Sequence, residues 1–210
     1  AGIGCVVNGA AGREAMFADR KPPRGERIAV IGAGPAGLTY ASLVAEGNDV
    51  TVFEKDKRAG GAFRYAGKAP LFQEVAASEA SFTRYIADLT AACIYGGVKF
   101  RFETDVADAP DVLAPFDRVV IATGARYRYG LGAVATTMLD WGAGRWPGLS
   151  RLFSAPAFRD WFYYRARRGT AERFQALAKP GQTVIAIGDA VTAGKSKPAI
   201  AGAFEAALLT

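Results

Sequence analysis

Three glycines stand at a spacing that does chemistry with the backbone rather than with side chains. They are Gly32, Gly34 and Gly37 in Arg27-Ile28-Ala29-Val30-Ile31-Gly32-Ala33-Gly34-Pro35-Ala36-Gly37-Leu38, where an apolar, β-branched run meets a helix-compatible segment. A strand that turns sharply into a helix presents unpaired N–H groups and a positive dipole end, and these hold a diphosphate. Gly32 permits the tight turn, Gly34 lets the backbone approach the phosphates with no Cβ in the way, and Gly37 lets the helix pack close to the strand. Residues 34–37, with Pro35 and Ala36 between the glycines, are therefore the expected phosphate cradle. Roughly twenty residues further on, Glu54 closes the run Asp49-Val50-Thr51-Val52-Phe53-Glu54. A carboxylate there accepts hydrogen bonds from the ribose hydroxyls of an adenosine and repels a 2′-phosphate, so FAD, ADP or NAD fits better than NADP. The bland alternative is a glutamate solvated at a strand end.

Other candidates stand at the ends of further runs. After Glu54 come Lys55-Asp56-Lys57-Arg58-Ala59-Gly60-Gly61, where the charges read as a solvated loop. Gly60-Gly61 is either a turn or a second close approach of backbone to a cofactor. Ala122-Thr123-Gly124 ends one buried run in small residues, against which a ligand or a neighbouring segment can lie. Gly188-Asp189 ends another, and its carboxylate sits where open α/β sheets bind ligands unless it caps the next segment. Histidine is absent, so acid–base chemistry would fall to other groups. No acid–base or nucleophile set emerges, and no catalytic residue is named.

The elements that must position these residues follow from apolar periodicity. Strands are expected at 27–31, 49–54, 98–103, 117–124 and 183–189, and helices over 36–46, 72–95 and 198–209. Gly47-Asn48 stops the first helix. Cys93 lies on the apolar stripe of the second, as a small core residue rather than a reactive thiol. Residues 1–26 read as a turn-rich connector. Residues 126–180 are rich in aromatics and arginines, with a helix expected over 157–178. That mixture fits base stacking or a membrane surface, but packing against the domain or an adjoining protein explains it better. Gly142-Ala143-Gly144 follows no buried strand and is rejected as a second nucleotide site.

Composition sets the outer limits. The 210 residues accommodate one large domain or one with an insertion, and the net charge of +6 is modest, without the basic tract that nucleic-acid binding needs. No apolar run is long enough to span a bilayer, and no signal-peptide pattern opens the chain. Cys5 and Cys93 form no disulfide framework, so a reducing cytoplasm is the expected setting. The opening without methionine is what a piece of a longer protein would show.

In order, Gly32/Gly34/Gly37, Glu54, Ala122-Thr123-Gly124 and Gly188-Asp189 resemble the flavoproteins of glutathione-reductase type that carry two dinucleotide-binding domains. The opening Cys5-Val6-Val7-Asn8-Gly9-Ala10-Ala11-Gly12-Arg13-Glu14 narrows this. It is similar to a Cys-x-x-Asn-x-x-x-Gly-x-Glu segment in the C-terminal region of the trimethylamine dehydrogenase and 2,4-dienoyl-CoA reductase family. The similarity runs from residue 5 to about 128 and resumes at 181–209. In that family the cysteine is the last of four holding a [4Fe–4S] cluster, and a flavin-bearing TIM barrel precedes it. Cys5 has no companions here, so this chain alone does not hold a cluster, and no metal site is assigned.

The resemblance implies an α/β, Rossmann-like FAD/NAD(P)-binding domain: a parallel sheet with a ββα-type layer. A helical insertion would stand in place of a full nicotinamide-binding domain, which makes an NAD(P)H site doubtful. The implied division is a connector at 1–26, domain segments at 27–125 and 181–210, and the insertion at 126–180. The implied cofactor is FAD, or ADP as a structural relic. Gly32, Gly34 and Gly37 would hold the pyrophosphate, Glu54 and its neighbour Lys55 the adenosine side, and Gly60-Gly61 the phosphates. Thr104-Asp105-Val106 would pass near the adenine, with Ala122, Thr123 and Gly124 beside the cofactor. Gly188-Asp189 would contact the ribityl–pyrophosphate part of FAD. The implied whole is a flavin-dependent oxidoreductase, with the TIM barrel as N-terminal domain or separate subunit. The alternative is a non-catalytic ADP-binding module docking on such a partner.

Overall fold

The computed structural model describes residues 5, 7–68, 78–128, 134, 137, 138, 140–143, 146–148, 151, 155–161 and 165–209. Strands β1 (Arg27–Ile31), β2 (Asp49–Phe53), β3 (Lys99–Arg101), β4 (Arg118–Ile121) and β7 (Thr183–Ala186) form one parallel sheet in the order β3-β2-β1-β4-β7. Two further strands, β5 (Ala125–Tyr127) and β6 (Arg167–Gly169), pair antiparallel as a separate ribbon. The apolar runs become parallel strands because both faces of the sheet are covered, which a continuous β-branched run tolerates and an alternating one does not. Within β1, Ile28 and Val30 face one apolar layer while Ala29 and Ile31 face the other.

The first layer is built by α2 (Pro35–Val44), α3 (Glu79–Tyr95) and α6 (Ser196–Leu208), which bring Leu38, Tyr40, Val44, Ile86, Cys93, Ala203 and Ala207 onto the sheet. The second gathers Phe53, Val106, Leu113, Val119, Ile121 and, from α5 (Ala171–Gln175), Phe174. Each fully buried Val, Leu, Ile or Phe contributes about 1.5–3 kcal/mol, so these two layers hold the strand ends in place.

The sheet sorts its charges by end. At the amino ends the acids are matched to arginines: Glu26 accepts from Arg118 Nε at 2.6 Å and Nη2 at 3.0 Å. Asp117 accepts from Arg27 Nη2 at 2.6 Å, and this guanidinium holds the Asp117 carboxyl down at about 2. At the carboxyl ends Glu54 and Asp189 flank the glycine turn instead.

Three expectations are corrected. Residues 1–26 are not irregular throughout: α1 (Glu14–Phe17) is one helical turn, docked on α6 by Phe17 edge-on to Phe204 and by Arg13 paired with Glu205. The strand expected over 98–103 is confined to Lys99–Arg101, since Glu103 takes a positive φ of 53°. No single helix spans 157–178. A short α4 (Pro156–Asp160) is followed by β6 and α5, because Gly169-Thr170 interrupts the helical pattern and Arg167–Gly169 finds a partner strand in Ala125–Tyr127. The expected 72–95 helix begins at Glu79, and its 72–77 portion lies outside the described residues, as do Tyr129, Gly144, Phe153 and residues 162–164.

Cys93 is fully buried, its thiol donating to Leu38 O at 3.3 Å, and burial pushes its pKa up to about 12. At pH 8 it stays protonated and shielded. Iodoacetamide should therefore label the exposed Cys5 in native protein, and Cys93 only after denaturation. Mass analysis of tryptic peptides checks this, and rapid native labelling of both would contradict the packing of α3.

Candidate functional site

The strand order reverses between β2-β1 and β4-β7, and such a switch point leaves a crevice above the carboxyl ends of the central strands. The glycine turn occupies it. Gly32 has φ of +106°, and a Cβ there would stand 2.5 Å from Ala122 O, so the end of β4 lies directly against the turn. A Cβ at Gly37 would stand 2.0 Å from Gly32 O and 3.2 Å from Ala122 Cβ. Both glycines are thus demanded by the protein's own packing.

Gly34 is different. Its φ of −81° and ψ of 179° suit any residue, and a Cβ built on it meets nothing within 4 Å among the described residues. Among the described residues neither strain nor packing requires glycine here, which leaves the backbone open to close approach. Gly34 is also the N-cap of α2, has no side-chain cap, and is followed by Pro35 with no acidic residue in the first turn. The positive helix end therefore has no counter-charge from α2 itself, the condition for an anion site.

Glu54 is 6% exposed, which excludes the solvated alternative. Its Oε2 accepts the Ala33 N–H at 2.8 Å and its Oε1 the Asp56 N–H at 3.0 Å. Two backbone donors orient the carboxylate, and an ionised carboxylate has about four lone-pair sites, so it retains capacity for two ribose hydroxyls. Lys55 is exposed on the loop beyond. Gly60 donates its N–H to Ala33 O at 2.7 Å, and a Cβ on Gly61 would lie 3.7 Å from Gly34 Cα. The second glycine pair thus lies against the first turn. Val106 is 1% exposed and packs in the second core layer, with Thr104 and Asp105 half-buried beside it.

On the opposite flank, Gly188 has φ of +61°, and a Cβ there would come 2.9 Å from Ala36 Cβ and 3.3 Å from Ala199 Cβ. This turn therefore lies against the first turn of α2. Asp189 follows, half-buried, and its Oδ2 accepts from Arg167 Nη1 at 3.2 Å. Burial raises the Asp189 pKa, and the Arg167 charge and the Gly194 backbone N–H oppose that rise. Thr123 and Gly124 sit half-buried at the end of β4, where Thr123 Oγ1 lies 2.6 Å from Thr170 Oγ1 and Thr170 donates to Gly124 O at 2.7 Å.

Gly32, Gly34, Pro35, Ala36, Gly37, Glu54, Gly60 and Gly61 thus converge, Ala122 packs beneath them, and Gly188-Asp189 closes the far side. Arg167 was not among the expected site residues. Its signal was an arginine within a segment that pairs as a strand. Among the described residues, no group of three His, Cys, Asp or Glu could hold a metal ion.

The family model of an NAD(P)-binding Rossmann-like domain matches residues 30–71. A metal reductase from Desulforamulus reducens is 36% identical over 129 residues, 59% of this chain and 18% of that protein. The glutamate synthase [NADPH] small chain of Mycobacterium tuberculosis is 36% identical over 112 residues, 50% of this chain and 21% of that protein. The chain thus spans about a fifth of these relatives' length (18% and 21%). A solved structure of 2-naphthoyl-CoA reductase superposes with a TM-score of 0.71 at 18% identity, over 99% of this chain and 43% of that one. The fold is Rossmann-like and dinucleotide-binding, and the relatives it matches are oxidoreductases.

The two glycines make opposite predictions. Gly37→Ala, forced against Gly32 O, should lower unfolding free energy by about 1–3 kcal/mol or more. Gly34→Ala should leave it within about 1 kcal/mol while weakening nucleotide binding. Denaturant unfolding with and without nucleotide checks both. Equal destabilisation by the two substitutions would contradict the assignment.

Proposed function

We propose that this chain is the FAD-binding region of a flavin-dependent oxidoreductase. The observation that carries the reading is Gly34, where among the described residues neither backbone conformation nor packing requires glycine and no side chain caps the helix end. The residues present fit a dinucleotide. The backbone N–H groups of the α2 first turn, with Gly60 and Gly61 alongside, would hold the diphosphate. Glu54, pinned by Ala33 and Asp56, would orient the adenosine ribose and disfavour a 2′-phosphate, so NADP(H) is not the preferred ligand. Asp189, across the turn from Glu54, would take a hydroxyl of the half beyond the diphosphate, which favours FAD over ADP.

When bound, FAD supplies the redox chemistry, and the chain binds and orients it. Substrate chemistry would belong to a further domain or subunit, proposed from the resemblance to be a flavin-bearing TIM barrel. The relatives extend well beyond the matched stretch, which supports such a partner. Among the described residues no helix is long and apolar enough to cross a membrane, and a cytoplasmic setting is part of the proposal.

Purified chain should be yellow, and heat should release a ligand with the mass of FAD. ADP alone would support the non-catalytic module instead. Glu54→Gln, which replaces a charged acceptor, should weaken FAD about tenfold or more, measured by flavin fluorescence titration. Unchanged affinity would remove Glu54 from the site.

A further inference from the structure

The ribbon β5–β6 is fastened to the turn that flanks the glycine cradle, and the Arg167 side chain is one of the fastenings. Only 9% of the Arg167 side chain is exposed. It donates from Nη1 to Asp189 Oδ2 at 3.2 Å and from Nη2 to Gly194 O at 2.6 Å, so one guanidinium spans both ends of the segment 189–194. Two residues along the same strand face, Gly169 presses on this turn, since a Cβ there would stand 2.3 Å from Ala190 O. Arg168, which β-alternation turns the other way, is exposed and pairs with Glu172. The fork thus reaches Asp189 from a rigid element, in a geometry Lys cannot reproduce.

The neighbourhood explains why a cation is needed there. A diphosphate bound at the α2 end would sit between two carboxylates, Glu54 on one side and Asp189 on the other. Glu54 is satisfied by backbone N–H groups, whereas Asp189 is half-buried and would be desolvated further by a ligand. Without a charged partner, burial favours the protonated carboxyl, a weaker acceptor free to rotate. Arg167 opposes the rise that burial imposes on the Asp189 pKa and engages one oxygen in a fixed direction.

We propose that Arg167 is a positioning residue for the half of the dinucleotide beyond the diphosphate: it fixes the Asp189 carboxylate through which that half is held. The inference rests on the FAD reading above. It separates two ligands that share the adenosine diphosphate half, since FAD extends past the cradle to Asp189 and ADP stops short of it. Arg167 therefore sets the preference for FAD over ADP and leaves the glycine turn and Glu54 untouched.

The test is titration of FAD and ADP, by calorimetry, into the wild-type chain and into Arg167→Met, Arg167→Lys, Asp189→Asn and the Arg167→Met/Asp189→Asn double variant. Arg167→Met should weaken FAD by about tenfold or more and leave ADP within about twofold. Arg167→Lys, keeping the charge but not the fork, should fall between. The double variant should bind FAD no worse than the weaker single one, because both substitutions break the same linkage. FAD affinity unchanged in Arg167→Met, or FAD and ADP weakened in parallel, overturns the proposal, the second outcome marking a merely structural anchor. If Arg167→Met does not fold, Arg167→Lys against wild type carries the same FAD-to-ADP comparison. Wild-type protein that binds neither nucleotide overturns the FAD reading itself, an outcome distinct from both.

Discussion

A carbonyl oxygen stands where a side chain at residue 37 would have to go. That single approach, of Gly32 O to the backbone of Gly37, lets α2 begin immediately above the end of β1. It sets the direction in which the helix end points. Ala122 O makes the corresponding approach from β4 to Gly32. With both positions filled by backbone, the turn has no freedom to open or slide, and the first-turn N–H groups are aimed at one place. Anion binding at a helix end depends on such fixed aim, since the dipole acts only over the terminal turn.

Glu54 makes the turn and the neighbouring strand one unit. Its carboxylate reaches from the end of β2 to the Ala33 N–H, while the Gly60 N–H reaches back to Ala33 O. Both polar groups of Ala33 are thereby satisfied from the β2 side, in a region too buried for water to substitute. The same carboxylate that braces the turn is then presented to the ligand, so support and recognition share a residue. On the other flank the division of labour differs: Asp189 would face the ligand, and Arg167, from a separate ribbon, holds it.

Much of this was legible in the residues, and the limits of legibility have physical causes. The apolar runs gave the parallel strands because burial on both faces leaves an unambiguous pattern. The three glycine roles at 32, 34 and 37 followed from spacing, and the contacts distinguish the two that packing requires from the one it does not. The internal bonds of Glu54 were hidden, since they depend on β1 and β2 pairing in the register that sets Ile31 beside Phe53. The 157–178 segment was misread because its fate is decided by a distant partner, Ala125–Tyr127, which local periodicity does not reveal. Arg167 and Arg168 are neighbours of the same type, and only strand alternation turns Arg167 inward and Arg168 out.

The backbone N–H groups of Gly34, Ala36 and Gly37 are the proposed diphosphate ligands. Backbone amide NMR of the chain titrated with ADP reads those groups directly. Saturable shifts are expected at Gly34, Ala36 and Gly37, spreading to their neighbours Ala33 and Leu38, with β3 and α5 unmoved. Amides of Gly34, Ala36 and Gly37 that stay still at saturating ADP, or shifts confined to other elements, would contradict that assignment.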